Sequence, residues 1–122
     1  LPVPAMQNLS KVLTSPSPWM DQFLSLDPQK YIPNVKCPVL AINGSLDKQV
    51  DAKTNLGAIR RLLPKNEESV IKEYPSMNHL FQHCKSGDVA EYAAIEETMS
   101  YEVREEMAFW ILRLKYSDGK KY

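Results

Sequence analysis

Glycine is scarce in this chain of 122 residues: Gly44, Gly57, Gly87 and Gly119 are all there is. A dinucleotide-binding G-x-G-x-x-G turn, a Walker A loop and a G-x-S-x-G nucleophile elbow each need two or more closely spaced glycines, so all three are excluded. An excess of one charge is also missing, with 15 Lys plus Arg against 15 Asp plus Glu. A neutral chain without a basic stripe is poorly equipped to hold nucleic acid through its phosphates. The basic pairs Arg60-Arg61 and Lys120-Lys121 read as solvated surface. No apolar run approaches the ~18 residues of a membrane span. Two cysteines, Cys37 and Cys84, make no disulfide scaffold and no C-x-x-C motif. They can form a single bridge, but two separate half-buried thiols are the simpler reading. The start, Leu1-Pro2-Val3-Pro4, has neither the charged region nor the apolar core of a signal peptide and is not Met. The chain therefore reads as a processed, proteolysed or cut piece of something longer, and any targeting segment would precede Leu1.

What is present is an ordinary globular composition, 43% hydrophobic and 25% charged, in 13.9 kDa, enough for one domain. Seven of the nine prolines fall in the first 38 residues and divide the chain by composition. Residues 1–36 read as short pieces. Ser17-Pro18 before Trp19, Met20, Phe23 and Leu24 is a capped helix start with Pro at the first helical position. Asp27-Pro28 repeats that signal for a turn or two before Pro33.

Residues 37–122 alternate strand and helix. The apolar run 38–43, closed by Gly44, predicts a strand buried on both faces. Asp51 caps a predicted helix to about Leu63, with Leu56, Ile59, Leu62 and Leu63 on one face and Pro64 beyond. A shorter, more polar strand at 69–74 has the character of an edge and is stopped by Pro75. Helical character returns near 88–95. Ser100 then introduces a last helix, roughly 101–115, expected to bury Val103, Met107, Trp110, Ile111 and Leu114. A crossover helix makes the two strands parallel, so the fold class is α/β. Two strands are a small sheet, which marks the fold as incomplete.

In open α/β sheets, chemistry sits beyond the carboxyl ends of the strands. Those ends carry Gly44-Ser45-Leu46-Asp47 and Pro75-Ser76-Met77-Asn78-His79. Parallel neighbours bring the two loops side by side, and a carboxylate beside an imidazole is the orienting half of a nucleophile–His–acid triad. Asp51 competes for the acid role, although the helical pattern right after it favours a cap. Asp47 as a turn-former and His79 as an ordinary surface histidine are the plain alternatives. His83 and Cys84 are too few for a zinc site, which needs three or four ligands. A Cys84–His79 nucleophilic pair lacks the necessary approach at five residues' separation on a loop.

The order strand, G-x-x-D, helix, strand, loop histidine and amphipathic helix resembles the C-terminal part of α/β-hydrolase-fold enzymes. Cys37 to Asp47 looks like that family's seventh strand and acid turn, and Pro75 to His79 like its last strand and histidine loop. Residues 17–35 are similar to the segment leading out of the cap. Within the family, His79-Leu80-Phe81-Gln82 and the Trp110 helix most resemble bacterial dienelactone-hydrolase-like and prolyl-oligopeptidase-like serine hydrolases. The resemblance covers about residues 17–114. It implies a partial α/β-hydrolase fold: the last two parallel strands with flanking helices (37–122), preceded by short cap-derived helices (1–36).

The resemblance further implies a serine hydrolase cleaving ester, thioester or peptide bonds, with Asp47 and His79 as its catalytic acid and base and no cofactor or metal. The serine and oxyanion hole of the family lie upstream, so this chain alone is expected to be inactive. The alternative is a non-catalytic hydrolase-like module for protein association. Relatives of this kind are often exported in bacteria. A strand 38–43 left open on one flank, with an uncovered helix 101–115, implies a homo-oligomer joined through that sheet edge.

Overall fold

The computed structural model describes residues 17–116. The chain forms two compact units, one ending at Lys30 and one beginning at Tyr31. In the first, α1 (Pro18–Ser25) begins as the capping signal requires: Ser17 Oγ accepts from Met20 N–H at 3.3 Å, with Pro18 in the first turn. Trp19 and Phe23, one turn apart, stack at 5.4 Å between centroids. A short 3-10 turn follows at Pro28–Lys30, where Asp27 Oδ1 accepts from Gln29 N–H.

The second unit is α/β. After a 3-10 turn at Ile32–Asn34 come β1 (Leu40–Gly44), α2 (Ala52–Leu62), β2 (Val70–Tyr74), a 3-10 stretch at Val89–Ala94 and α3 (Tyr101–Tyr116). The two strands pair in parallel, from Leu40 opposite Val70 to Gly44 opposite Tyr74. Asp51 caps α2, its Oδ2 accepting from Thr54 N–H at 2.8 Å. Arg60 and Arg61 in the last turn complement the helix dipole, and the helix ends before Pro64. Leu56 is buried together with Ala52, while Ile59, Leu62 and Leu63 are half-buried.

Strand alternation separates the two helices. Ile42, Lys72 and Tyr74 share the face toward α3; Ala41 and Asn43 are buried on the other, which is left for α2. The apolar centre is Tyr74, Met77 and Val103, with Ile42, Phe81, Met99 and Met107 against it. Tyr74 and Phe81 meet edge to face at 6.1 Å. Helix α3 is fastened along its length by three residues at helical spacing. Val103 is buried, Glu106 accepts from Lys72 Nζ at 2.6 Å and from Tyr74 Oη at 2.5 Å, and Trp110 Nε1 donates to Glu68 O at 2.7 Å. Burial, together with the Glu106 carboxylate, raises the Tyr74 phenol above its usual range.

Three expectations change. Strand β1 is not buried on both faces: Leu40 and Ile42 are only half-buried, because a two-stranded sheet is too narrow for a helix to seal. Ile111 is 57% exposed, since it lies to the side of the 103–106–110 stripe where the described sheet has no further strand. Cys37 is exposed rather than half-buried; Cys84 is half-buried, and both are free thiols, as the simpler reading has it. Among the described residues, no helix is long and apolar enough to cross a membrane.

Candidate functional site

The site forms where both strands end. A Cβ on Gly44 would lie 2.3 Å from Met77 O and 2.6 Å from Asn78 O, so only glycine lets β1 pass beneath the histidine loop. The two loops are then joined beyond the sheet. Ser45 N–H donates to Tyr74 O, Leu46 N–H to Met77 O, and Ser76 N–H to Ser45 Oγ, at 2.8, 2.9 and 2.9 Å.

Within this frame Asp47 is held at both oxygens. Oδ1 accepts from the backbone N–H groups of Gln49 (2.8 Å) and Val50 (2.9 Å). Oδ2 accepts from Asn43 Nδ2 (3.1 Å) and lies 2.8 Å from His79 Nδ1. Burial pushes the Asp47 carboxyl upward, but the donors from Val50, His79 and Gln49 and the nearby imidazole outweigh it, and the net shift is downward. An ionised carboxylate can only accept, so His79 carries its proton on Nδ1 and keeps Nε2 for a further partner. The Asp47 side chain is 4% exposed and that of His79 37%. The acid is sealed in, while the imidazole stays open on one side.

His79 sits at the tip of a tight hairpin closed by the antiparallel bridge between Met77 and His83. Asn78, fully buried, builds the turn. Its Oδ1 accepts from Leu80 N–H (2.9 Å) and Gln82 N–H (3.0 Å), and its Nδ2 donates to Gln82 Oε1. Gln82 Nε2 in turn donates to Glu97 O at 2.7 Å. Ser76 and Phe81 both adopt left-handed backbone, φ 57° and 56°. Such angles persist for L-residues only where surroundings hold them. Phe81 is held by its ring on Tyr74 and by Ser100 N–H on its carbonyl.

The remaining candidates are used elsewhere. Asp51 caps α2. His83 faces Glu97, Nδ1 to Oε2 at 3.0 Å. The Cys84 thiol donates to Ser76 O at 3.7 Å, and burial and Glu91 raise its pKa, which keeps it a thiol. Among the described residues, no group of three His, Cys, Asp or Glu is placed to hold a metal ion. Asn43, Gln82 and Glu97 were not among the sequence candidates. For Asn78 the signal was available: an Asn directly before a loop histidine is an Asx-turn former.

An α/β unit with an acid–histidine pair at the strand ends has the arrangement used by hydrolases. The chain is 37% identical over 66 residues to the acylamino-acid-releasing enzyme of Rattus norvegicus, a match covering 54% of this chain and 9% of the relative. That likeness gives partial support to a hydrolase kinship. No family model and no solved structure matches.

Proposed function

We propose that this chain supplies the acid and histidine of a serine hydrolase. The observation that carries the reading is the 2.8 Å contact between Asp47 Oδ2 and His79 Nδ1, made by a sealed and ionised carboxylate to a ring open on its other side. In this reading Asp47 fixes the Nδ1–H tautomer and supports the imidazolium. His79 Nε2 takes the proton of a serine supplied by other polypeptide and returns it to the leaving group. Esters, thioesters and peptides all fit such chemistry. The rat relative, named as releasing acylamino acids, favours acylated amino-acid or peptide substrates.

Fluorophosphonate labelling tests the proposal. The 122-residue chain remains unlabelled, because its acid–base pair has no nucleophile to activate. A longer polypeptide that also carries a G-x-S-x-G elbow is labelled on that serine, and His79→Ala abolishes the labelling. A stoichiometrically labelled serine within this sequence overturns the assignment.

The second reading is an association module, favoured by Phe109, Ile111 and Leu112 lying exposed on α3. Two copies would join through the edge of β1 that no strand covers among the described residues. Sedimentation across a concentration series tests it, and a monomer at high concentration removes it.

A further inference from the structure

We infer that Asn43 is a positioning residue for the Asp47–His79 pair, an inference that rests on the hydrolase reading above. Asn43 ends an otherwise apolar run in β1, opposite Glu73, at a position where strands favour β-branched residues and disfavour Asn. Its side chain is nonetheless buried, which is costly unless its polar atoms are bonded. Both Nδ2 protons are used: one goes to Asp47 Oδ2 and one to Val50 O, each at 3.1 Å. Val50 also donates its N–H to Asp47 Oδ1 at 2.9 Å. Asn43, Asp47 and Val50 thus close a ring of hydrogen bonds around the acid turn.

The two oxygens of Asp47 are treated differently. Backbone N–H groups anchor Oδ1, and those bonds leave the carboxylate plane free to rock about that oxygen. Asn43 supplies the donor that shares Oδ2 with His79. It sets the plane in which Oδ2 meets Nδ1–H. An unpositioned neutral imidazole distributes its proton over both nitrogens. Asn43 therefore acts through Asp47 to select the tautomer that leaves Nε2 as the base. An apolar residue of similar size would strip a donor from both Oδ2 and Val50 O.

The test is ¹⁵N NMR of the two imidazoles in the full 122-residue chain at alkaline pH, where neutral rings report their tautomers. In the unsubstituted chain most of the His79 ring carries its proton on Nδ1. Asn43→Ala lowers that population to less than half, Asp47→Asn lowers it at least as far, and His83 changes in neither. If Asp47→Asn shifts the tautomer while a natively folded Asn43→Ala does not, the positioning role is overturned and the acid–histidine pair stands. If neither shifts it, the pair itself falls.

A second measurement needs no variant. On acidification the Asn43 Nδ2 protons must shift together with the titration of Asp47. Protons that do not follow it overturn the inference even where Asn43→Ala fails to fold.

Discussion

Two histidines four residues apart in this chain each meet a carboxylate, in different surroundings. His79 meets Asp47 at 2.8 Å and His83 meets Glu97 at 3.0 Å, both through Nδ1. Their surroundings separate them. The Asp47 side chain is 4% exposed; for His83 and Glu97 the figures are 58% and 33%. Asp47 stands beyond the carboxyl end of β1. Glu97 belongs to the chain before α3, and its Oε2 also takes the backbone N–H of His83 at 2.7 Å. That backbone donor is the largest cause of the lowered Glu97 pKa, with the His83 ring contributing less. The second pair is a clasp on the hairpin that carries His79. An imidazole beside a carboxylate becomes a candidate for chemistry through burial of the acid and its place in the fold, since a solvated pair is screened to little effect.

The sharpest way to break this comparison is to remove each acid's charge in turn, in a hydrolase that contains this segment. Asp47→Asn lowers kcat/KM toward an activated ester by about 10⁴-fold, the scale reached when a triad acid is neutralised and its histidine takes the wrong tautomer. Glu97→Gln lowers it by no more than about 10²-fold, because only the footing of the hairpin loosens. Equal losses would mean that the two pairs share one function.

The next largest effect concerns backbone. Gly44→Ala forces a methyl group against Met77 O and Asn78 O at 2.3 and 2.6 Å, and neither carbonyl can swing aside without breaking the joined loops. Overpacking costs about 1–3 kcal/mol, and a fixed backbone puts this site at the upper end. The control is Gly57→Ala in the interior of α2, where a Cβ meets nothing within 4 Å. Alanine is the better helix former there by about 0.5–1 kcal/mol, so that variant is more stable. Urea midpoints of the two variants decide it, and a harmless Gly44→Ala would show that the histidine loop does not rest on β1.

The strands and the caps were legible because each rests on a local signal, and the meeting of Asp47 with His79, 32 residues apart, because strand pairing carries it. Gly44 ends an apolar run, Asp51 precedes a helical period, and parallel strands bring their ends together. What could not be read was the support. The partners of Glu97 at His83 and Gln82 stand 14 and 15 residues away across an irregular loop. Asn43 looked like the end of a strand because nothing local shows that its amide turns inward. Ile111 fits the helical period of α3 as well as Trp110 does; only the width of the sheet decides which is covered. The carboxyl-end rule found where a site can lie, but the side chains that hold it are chosen by packing.

The smallest expected effect lies on a third carboxylate, which extends the comparison to an acid on the surface. Glu91 takes Lys85 N–H on Oε1, and Ser86 N–H, Ser86 Oγ–H and Gly87 N–H on Oε2. The Ser86 hydroxyl and these amides hold its pKa down to about 2, from an ordinary 4.5. The loop it gathers braces the acid turn, for a Cβ on Gly87 would fall 1.8 Å from Leu46 O. Because the folded state holds this carboxyl below its unfolded value, folding releases protons. The associated stability is fully present above about pH 4.5 and is lost as pH falls toward about 2. The stability lost to Glu91→Gln is therefore constant above that window and shrinks within it. Exposure to solvent keeps the effect small. Urea midpoints measured at intervals down to the acid limit test it: curves that stay parallel throughout would show that the Glu91 carboxyl is not held below its unfolded value. Asp47, lowered from 3.8 in the same direction, continues to lose its contribution in both proteins, so the Gln variant retains an acid limb, shallower than that of the parent chain.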